Sequence, residues 1–337
     1  MPSESEIPRN LPGNHMSYPI HVALSANKSY TIPLALCLYS MRQSAAPGTV
    51  YHFHILDSGI DRTLIERGNF EHVSWYNVEN DLANLPSTLR YPASIYHRYL
   101  LPKLLPDTID RVLYLDCDTY VQRDLSELYN MNLENNPLAA PPWLVMGTNR
   151  PQYESYLKSF PERFNLSDDS LPYFFSSQLL MDLKELRAID ATEKLIAMTH
   201  RYAKKLIYPD QDVINAFFRN KITPIGQQYN VIPAFATEKE LENPEISQAY
   251  TSPSIIHFAS MKPNILTGPR NSYEDTFFRF WRTSPWKNHI PYPLISLVQF
   301  PKAAAKLLNA LIRMLLPYPC MLKTLGAILN SVRKIIR

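Results

Sequence analysis

The stretch RVLYLDCDTYVQRDL, residues 111–125, runs from a hydrophobic segment into two acids one residue apart, Asp116 and Asp118. Val112 to Leu115 read as a buried strand of a parallel sheet. Carboxylates at its end are costly unless something neutralises them, and a divalent cation is the simplest candidate. Ligands of open α/β sheets gather at the carboxyl ends of strands, so the expectation is a metal held at a strand end. Further along, Asp210 lies in YPDQDVINAFF, His257 in IIHF and Lys262 in SMKPN. Alone, each has an ordinary reading. Asp210 could cap the free N–H groups of a helix start, His257 could be a packed core histidine, and Lys262 a solvated amine.

Alternating strand and helix patterns could carry these residues on one α/β sheet. IHVAL (20–24) reads as a first strand, followed by a helix over 29–43 with Pro33 in or near its first turn. VYHFHIL is a second strand, DRTLIERGNF a short helix and HVSWYNV a third strand. Residues 89–105 read as a helix leading to the strand that ends at Asp116. ENNPLAAPPWLVMG holds one strand and a bend, and residues 147–170 are polar and turn-rich, as in a surface lid. YFFSSQLLMDLKEL resumes with a strand, residues 191–205 form a helix, and PDQDVINAFF starts another. The organisation expected is a flexible leader over 1–17, one catalytic-sized domain over 18–290 and a tail over 291–337.

Other chemistries lack their fingerprints. There is no G-x-G-x-x-G, no Walker A run and no H-E-x-x-H. Basic residues do not interleave with aromatics along the body, so no nucleic acid partner is expected. The cysteines Cys37, Cys117 and Cys320 are too widely spaced for a disulfide framework or a zinc site. The polar start is unlike a signal peptide, and no 18-residue apolar run suggests a spanning helix. Haloacid-type phosphatases also place D-x-D after a strand, with Thr or Val two residues beyond; Tyr120 stands there instead.

Five segments, in order and spacing, resemble retaining glycosyltransferases of family 8, the group that includes bacterial lipopolysaccharide galactosyl- and glucosyltransferases. They are YHRYLLPKLLP, RVLYLDCDTYVQRDLSELY, YFFSSQLLMDL, YPDQDVINAFF and HFASMKP, within a span of about residues 18 to 290. The resemblance implies an α/β GT-A fold, the nucleotide-diphospho-sugar transferase fold: one mixed central sheet flanked by helices, here with a C-terminal helical tail. It implies transfer of a sugar, glucose or galactose, from a UDP-sugar with retention, using Mn²⁺ or Mg²⁺. Asp116, Asp118 and His257 then match the metal ligands, and two carboxylates with an imidazole suit such a cation. Cys117 between the aspartates joins the donor-binding set, as do Asn27, Ser29, Arg98 and Lys262. Lys262 would meet the β-phosphate and Arg98 the donor near its sugar; Arg98 could otherwise be a helix arginine lying over Tyr and Leu. Asp210 matches a carboxylate on donor sugar hydroxyls, and Gln211 the residue near the anomeric carbon. Gln has no ionisable oxygen, which favours attack from the face of departure over a covalent intermediate.

The chain departs from the family pattern at three places. LSANKSY carries Ala26, Asn27 and Ser29 where acids and an Asn are usual at the uracil and ribose contacts. Phe175 and Ser177 stand where the family has Asn and Gly, removing a polar sugar contact and adding a ring. HFASMKPN is one residue short, lacks a glycine and ends in Asn264, so the phosphate loop must take another path. Two alternatives follow: a UDP-N-acetylhexosamine-using transferase of the same fold, and a non-catalytic scaffold or subunit that keeps it.

The chain has a net charge of +3, yet residues 291–337 carry seven basic residues and no acid, leaving −4 elsewhere. Lys302, Lys306, Asn309 and Arg313 fall on one helical face, and Lys323, Asn330, Lys334 and Arg337 near another, with Pro317 and Pro319 between. The expectation is a peripheral anchor on an anionic membrane surface, with a saccharide or glycolipid acceptor at the cytoplasmic face of the inner membrane. A helical pair packed on the body is the alternative.

Overall fold

The computed structural model describes residues 19–292 except 80, 88–90, 145–149, 168–171, 236–239, 260 and 267. The expected leader (1–17) and the basic tail lie outside the described residues, apart from its first two. Among the described residues nine strands form: β1 (Ile20–Asn27), β2 (Tyr51–Ser58), β3 (Val73–Asn77), β4 (Arg111–Leu115), β5 (Thr119–Val121), β6 (Leu138–Ala140), β7 (Gln178–Asp182), β8 (Ile222–Pro224) and β9 (Ile255–His257). Seven make a mixed sheet in the order β3-β2-β1-β4-β7-β6-β8, in which β7 runs antiparallel to β4 and β6. β5 and β9 form a separate antiparallel ribbon that pairs Thr119 with His257.

Alternation along β1 explains the two layers. Val22 and Leu24 face one core with Leu34, Leu38 and Phe277, from the helices Thr31–Ser44 and Ser272–Thr283. Ala23 faces the other with Tyr99, Leu195 and Ile214. Burying each large apolar side chain contributes about 1.5–3 kcal/mol. β1 lies between β2 and β4, both parallel to it, so chain connections leave in opposite directions and the carboxyl ends of β1 and β4 open a crevice.

Two expected elements differ. The helix expected over 89–105 is a 3₁₀ winding, Ala93–Leu100, followed by one α turn, Leu101–Leu104. Pro102 lacks the N–H that a continuous helix needs there, and the winding changes with it. The segment expected as a surface lid contains a fifteen-residue helix, Arg150–Phe164. Its Tyr153, Tyr156, Phe160 and Phe164 recur at helical spacing and pack with Trp143 and Tyr173. That aromatic stripe was obscured by the polar residues between.

Candidate active site

β4 delivers Asp116 to the crevice, where its backbone N–H donates to Ser177 O at 2.9 Å. The next two residues turn: Thr119 Oγ1 donates to Asp116 O at 2.8 Å, and β5 begins. Because β5 pairs with β9, Asp118 comes to lie 3.3 Å from His257 Nε2. Ligand atoms of Asp116, Asp118 and His257 all fall within 4.8 Å of one another. Asn230 Oδ1, 2.9 Å away, accepts from His257 Nδ1–H, which fixes the ring with Nε2 directed toward Asp118. Two carboxylates and one imidazole fit a hard or borderline divalent cation.

Lys262 Nζ donates to Asp118 Oδ2 and, at 2.8 Å, to Phe258 O. Burial alone would raise the Asp118 pKa; Lys262 and His257 outweigh it and hold this carboxyl well below the usual range. Burial, reinforced by Asp118, pushes Asp116 the other way despite the opposing Arg98. The shortened loop therefore still brings its lysine to the carboxylates. Arg270 Nη2 steadies it through a 2.9 Å bond to Lys262 O.

Arg98 is only 4% exposed. It does not lie over its helix neighbours at the surface. Its guanidinium stands between Asp116 (2.9 Å) and Asp210 (3.2 Å), donates to Ser176 O, and lies 4.4 Å from the Tyr114 ring centre. Asp210 opens the helix Pro209–Phe218 without capping it. Its carboxylate accepts from Ser176 Oγ at 2.7 Å, while Gln211 Oε1 accepts from Ser176 N–H at 3.2 Å. Arg98 and Ser176 thus join the Asp116 side of the crevice to the Asp210–Gln211 side.

The remaining residues are engaged in the protein. Asn27 Oδ1 accepts from Ser29 N–H, Ser29 Oγ–H and Tyr30 N–H, so the pair stabilises the turn after β1 and Asn27 has its oxygen occupied. Cys117 is buried and donates its thiol to Ser25 O. Ser177 Oγ donates to Gln178 Oε1. Phe175 stacks on Trp143 with ring centres 5.1 Å apart. Three contributors escaped the sequence reading: Ser176, Asn230 and Asp212. Asp212 had a signal, its place in YPDQD; Asn230, in QQYN, had none.

The family model for glycosyl transferase family 8 matches residues 21–263. A lipopolysaccharide 1,2-glucosyltransferase of Escherichia coli is 26% identical over 283 residues, covering 81% of this chain and 80% of its own. A lipopolysaccharide 1,3-galactosyltransferase of Salmonella typhimurium is 27% identical over 215 residues, covering 61% of this chain and 59% of its own. Among solved structures, the galactosyltransferase LgtC in complex with donor and acceptor sugar analogues superposes with a TM-score of 0.62 at 22% identity, covering 84% of this chain and 98% of that one. Sheet order, crevice and these matches agree: the chain belongs to glycosyl transferase family 8 and is a retaining glycosyltransferase of the GT-A fold.

Proposed function

We propose that this enzyme moves a hexose, glucose or galactose, from a UDP-sugar to a saccharide of the lipopolysaccharide core or a related lipid-linked glycan. The observation that carries the reading is the convergence of Asp116, Asp118 and His257 from β4, the following turn and β9, beside Asp210 and Gln211. The lipopolysaccharide hexosyltransferases among its relatives support the acceptor class. Asp116, Asp118 and His257 would hold Mn²⁺ or Mg²⁺. When bound, such an ion supplies a Lewis acid against the charge that grows on the departing diphosphate.

The chain's own residues divide the remaining work. Lys262, whose ammonium is held by Asp118 and the Phe258 and Ala259 carbonyls, is a positive charge on a long stem that can turn from Asp118 to a β-phosphate oxygen. Asp210, held by Arg98 and Ser176, accepts from sugar hydroxyls. Gln211, its oxygen steadied by Ser176 N–H, stabilises the cationic anomeric carbon. The bond from that carbon to UDP breaks, the acceptor oxygen bonds on the same face, and its proton passes to the leaving phosphate. Titrating UDP into wild-type enzyme and Asp118→Asn, with and without Mn²⁺, tests the cation site. Mn²⁺ should tighten UDP only in the wild type; equal affinities in all four experiments would overturn the assignment.

One observation favours a second donor class. Phe175 packs against Trp143, whose buried Nε1 has no hydrogen-bond partner among the described residues. An N-acetyl group offers a methyl for the rings and a carbonyl for that N–H. A thermal-shift panel of UDP-sugars with Mn²⁺ separates the readings, and silence across the whole panel would favour a non-catalytic scaffold. Attachment through the basic tail at the cytoplasmic face of the inner membrane belongs to the same proposal. Among the described residues no helix is long and apolar enough to cross a membrane. Co-sedimentation with anionic vesicles, with and without residues 301–337 and at low and high salt, tests it; equal binding by both forms would remove the anchor.

A further inference from the structure

At the other end of β1 and β2, away from the crevice, three histidines meet. His21 pairs in register with His52, and His54 follows two residues later on the same face of β2. Six residues of strand, about 20 Å at 3.3 Å per residue, separate His21 from Asn27 at the crevice. His21 Nδ1 lies 2.9 Å from His54 Nε2. The rings of His52 and His54 stack at 4.5 Å, and one ligand nitrogen from each of the three lies within 4.8 Å of the others. We propose that His21, His52 and His54 form a second cation site that takes Zn²⁺ on three imidazoles.

The outward partners orient the rings. Tyr76 Oη meets His54 Nδ1 at 3.1 Å, so Nε2 faces the cluster. Ser74 Oγ meets His52 Nε2 at 2.9 Å, which leaves Nδ1 for the cluster. Such partners fix tautomer and ring plane in metal-binding histidines. Only the neutral imidazole ligates. His54 is buried, whereas His21 and His52 are half-buried and give an ion a way in. An all-nitrogen set suits Zn²⁺, Ni²⁺ or Cu²⁺ over the Mn²⁺ or Mg²⁺ suited to the carboxylate-rich crevice. The ion would replace the proton shared between His21 and His54 and tie β1 to β2 at their amino ends.

The test uses the full chain carrying Asp118→Asn, which disables the crevice site, after removal of metal with a chelator. Co²⁺ is then titrated while visible absorption is followed, and Zn²⁺ is added to displace it. The expected result is one equivalent of Co²⁺ with the intense bands of a tetrahedral site, bleached by Zn²⁺, and a melting temperature raised by Zn²⁺. Adding His52→Gln should weaken Co²⁺ uptake tenfold or more and abolish the Zn²⁺ shift. His21→Gln, also half-buried, reads the same loss should His52→Gln fail to fold. No Co²⁺ uptake by Asp118→Asn, or uptake unchanged by either histidine replacement, would overturn the proposal.

Discussion

Asp210 and Asp212 sit two residues apart on one helix, both buried beside an arginine, yet their surroundings differ in kind. Asp212 is fully buried and saturated: it accepts from Tyr156 and Tyr173 hydroxyls, from Arg163, and from the backbone N–H groups of Ile207 and Tyr208. It fastens the aromatic layer of Trp143, Tyr156 and Tyr173 and has no capacity left for a ligand. Asp210 shares Arg98 with Asp116, and 29% of the Asp116 side chain remains exposed in the crevice. A buried carboxylate therefore becomes a structural tie when all its acceptor positions are filled, and part of a site when the network it joins stays open at one edge.

The largest effects should come from breaking either network. Arg98→Met leaves two neighbouring carboxylates without their cation and should cost about 3–5 kcal/mol in urea unfolding, with donor turnover lost. Asp212→Asn should destabilise strongly as well, but its folded fraction should still bind UDP with Mn²⁺. Equal loss of UDP binding in both would erase the distinction. Acid should next expose the Arg98 side. Burial, opposed by Asp81 and assisted by Arg98, pushes His97 down to about 4. Its unfolded value is near 6.5, so between these pH values the unfolded chain binds a proton that the folded chain does not. Stability then falls as pH drops from 6.5 toward 4, by at most about 1.4 kcal/mol per pH unit, and levels below. In urea melts across this range, His97→Gln should flatten the slope relative to wild type.

Smaller effects sharpen the contrast between open and closed parts. Asn230→Ala frees His257 to rotate without touching the crevice and should weaken Mn²⁺ by about 10–100-fold in a binding titration, leaving unfolding nearly unchanged in comparison with Arg98→Met. Phe175→Asn removes the ring stacked on Trp143 and restores a polar side chain near the donor pocket. The ratio of N-acetylated to plain hexose donors bound should fall by about tenfold, read from the same UDP-sugar panel. An unchanged ratio would assign Phe175 to packing alone.

Much of this was legible in the chain itself. The near-continuous burial of β1 and β2 and the D-x-D at the end of β4 follow from their hydrophobic runs, and the segments around Arg98, Asp116, Gln211 and His257 appear in their family order. The partners that decide what those residues can do were not legible. Asn230 reaches His257 through tertiary pairing across β9, and Ser176, although inside a recognised segment, reaches Asp210 and Gln211 across 34 and 35 positions that the chain does not display. The turn-rich look of residues 147–170 concealed a helix because its stripe is aromatic and its other faces polar. The resemblance placed Arg98 with the donor, but its burial between two carboxylates was not visible, because a chain cannot display burial set by segments 78 and 112 positions away.

The β5–β9 ribbon carries a consequence for how the molecule assembles. Lys262 and Asp118 are 144 positions apart in the chain, whereas the last strand of the seven-stranded sheet ends at Pro224. The sheet can therefore be complete before β9 leaves the ribosome. The contact needs β9 and the segment after it, so it forms after the strands that precede it in the chain. Until it closes, Asp118 lacks both its histidine and its lysine. The reactive centre is thus expected to mature late in the nascent chain, together with the core layer that Ile255, Phe258 and the helix Ser272–Thr283 complete over β1.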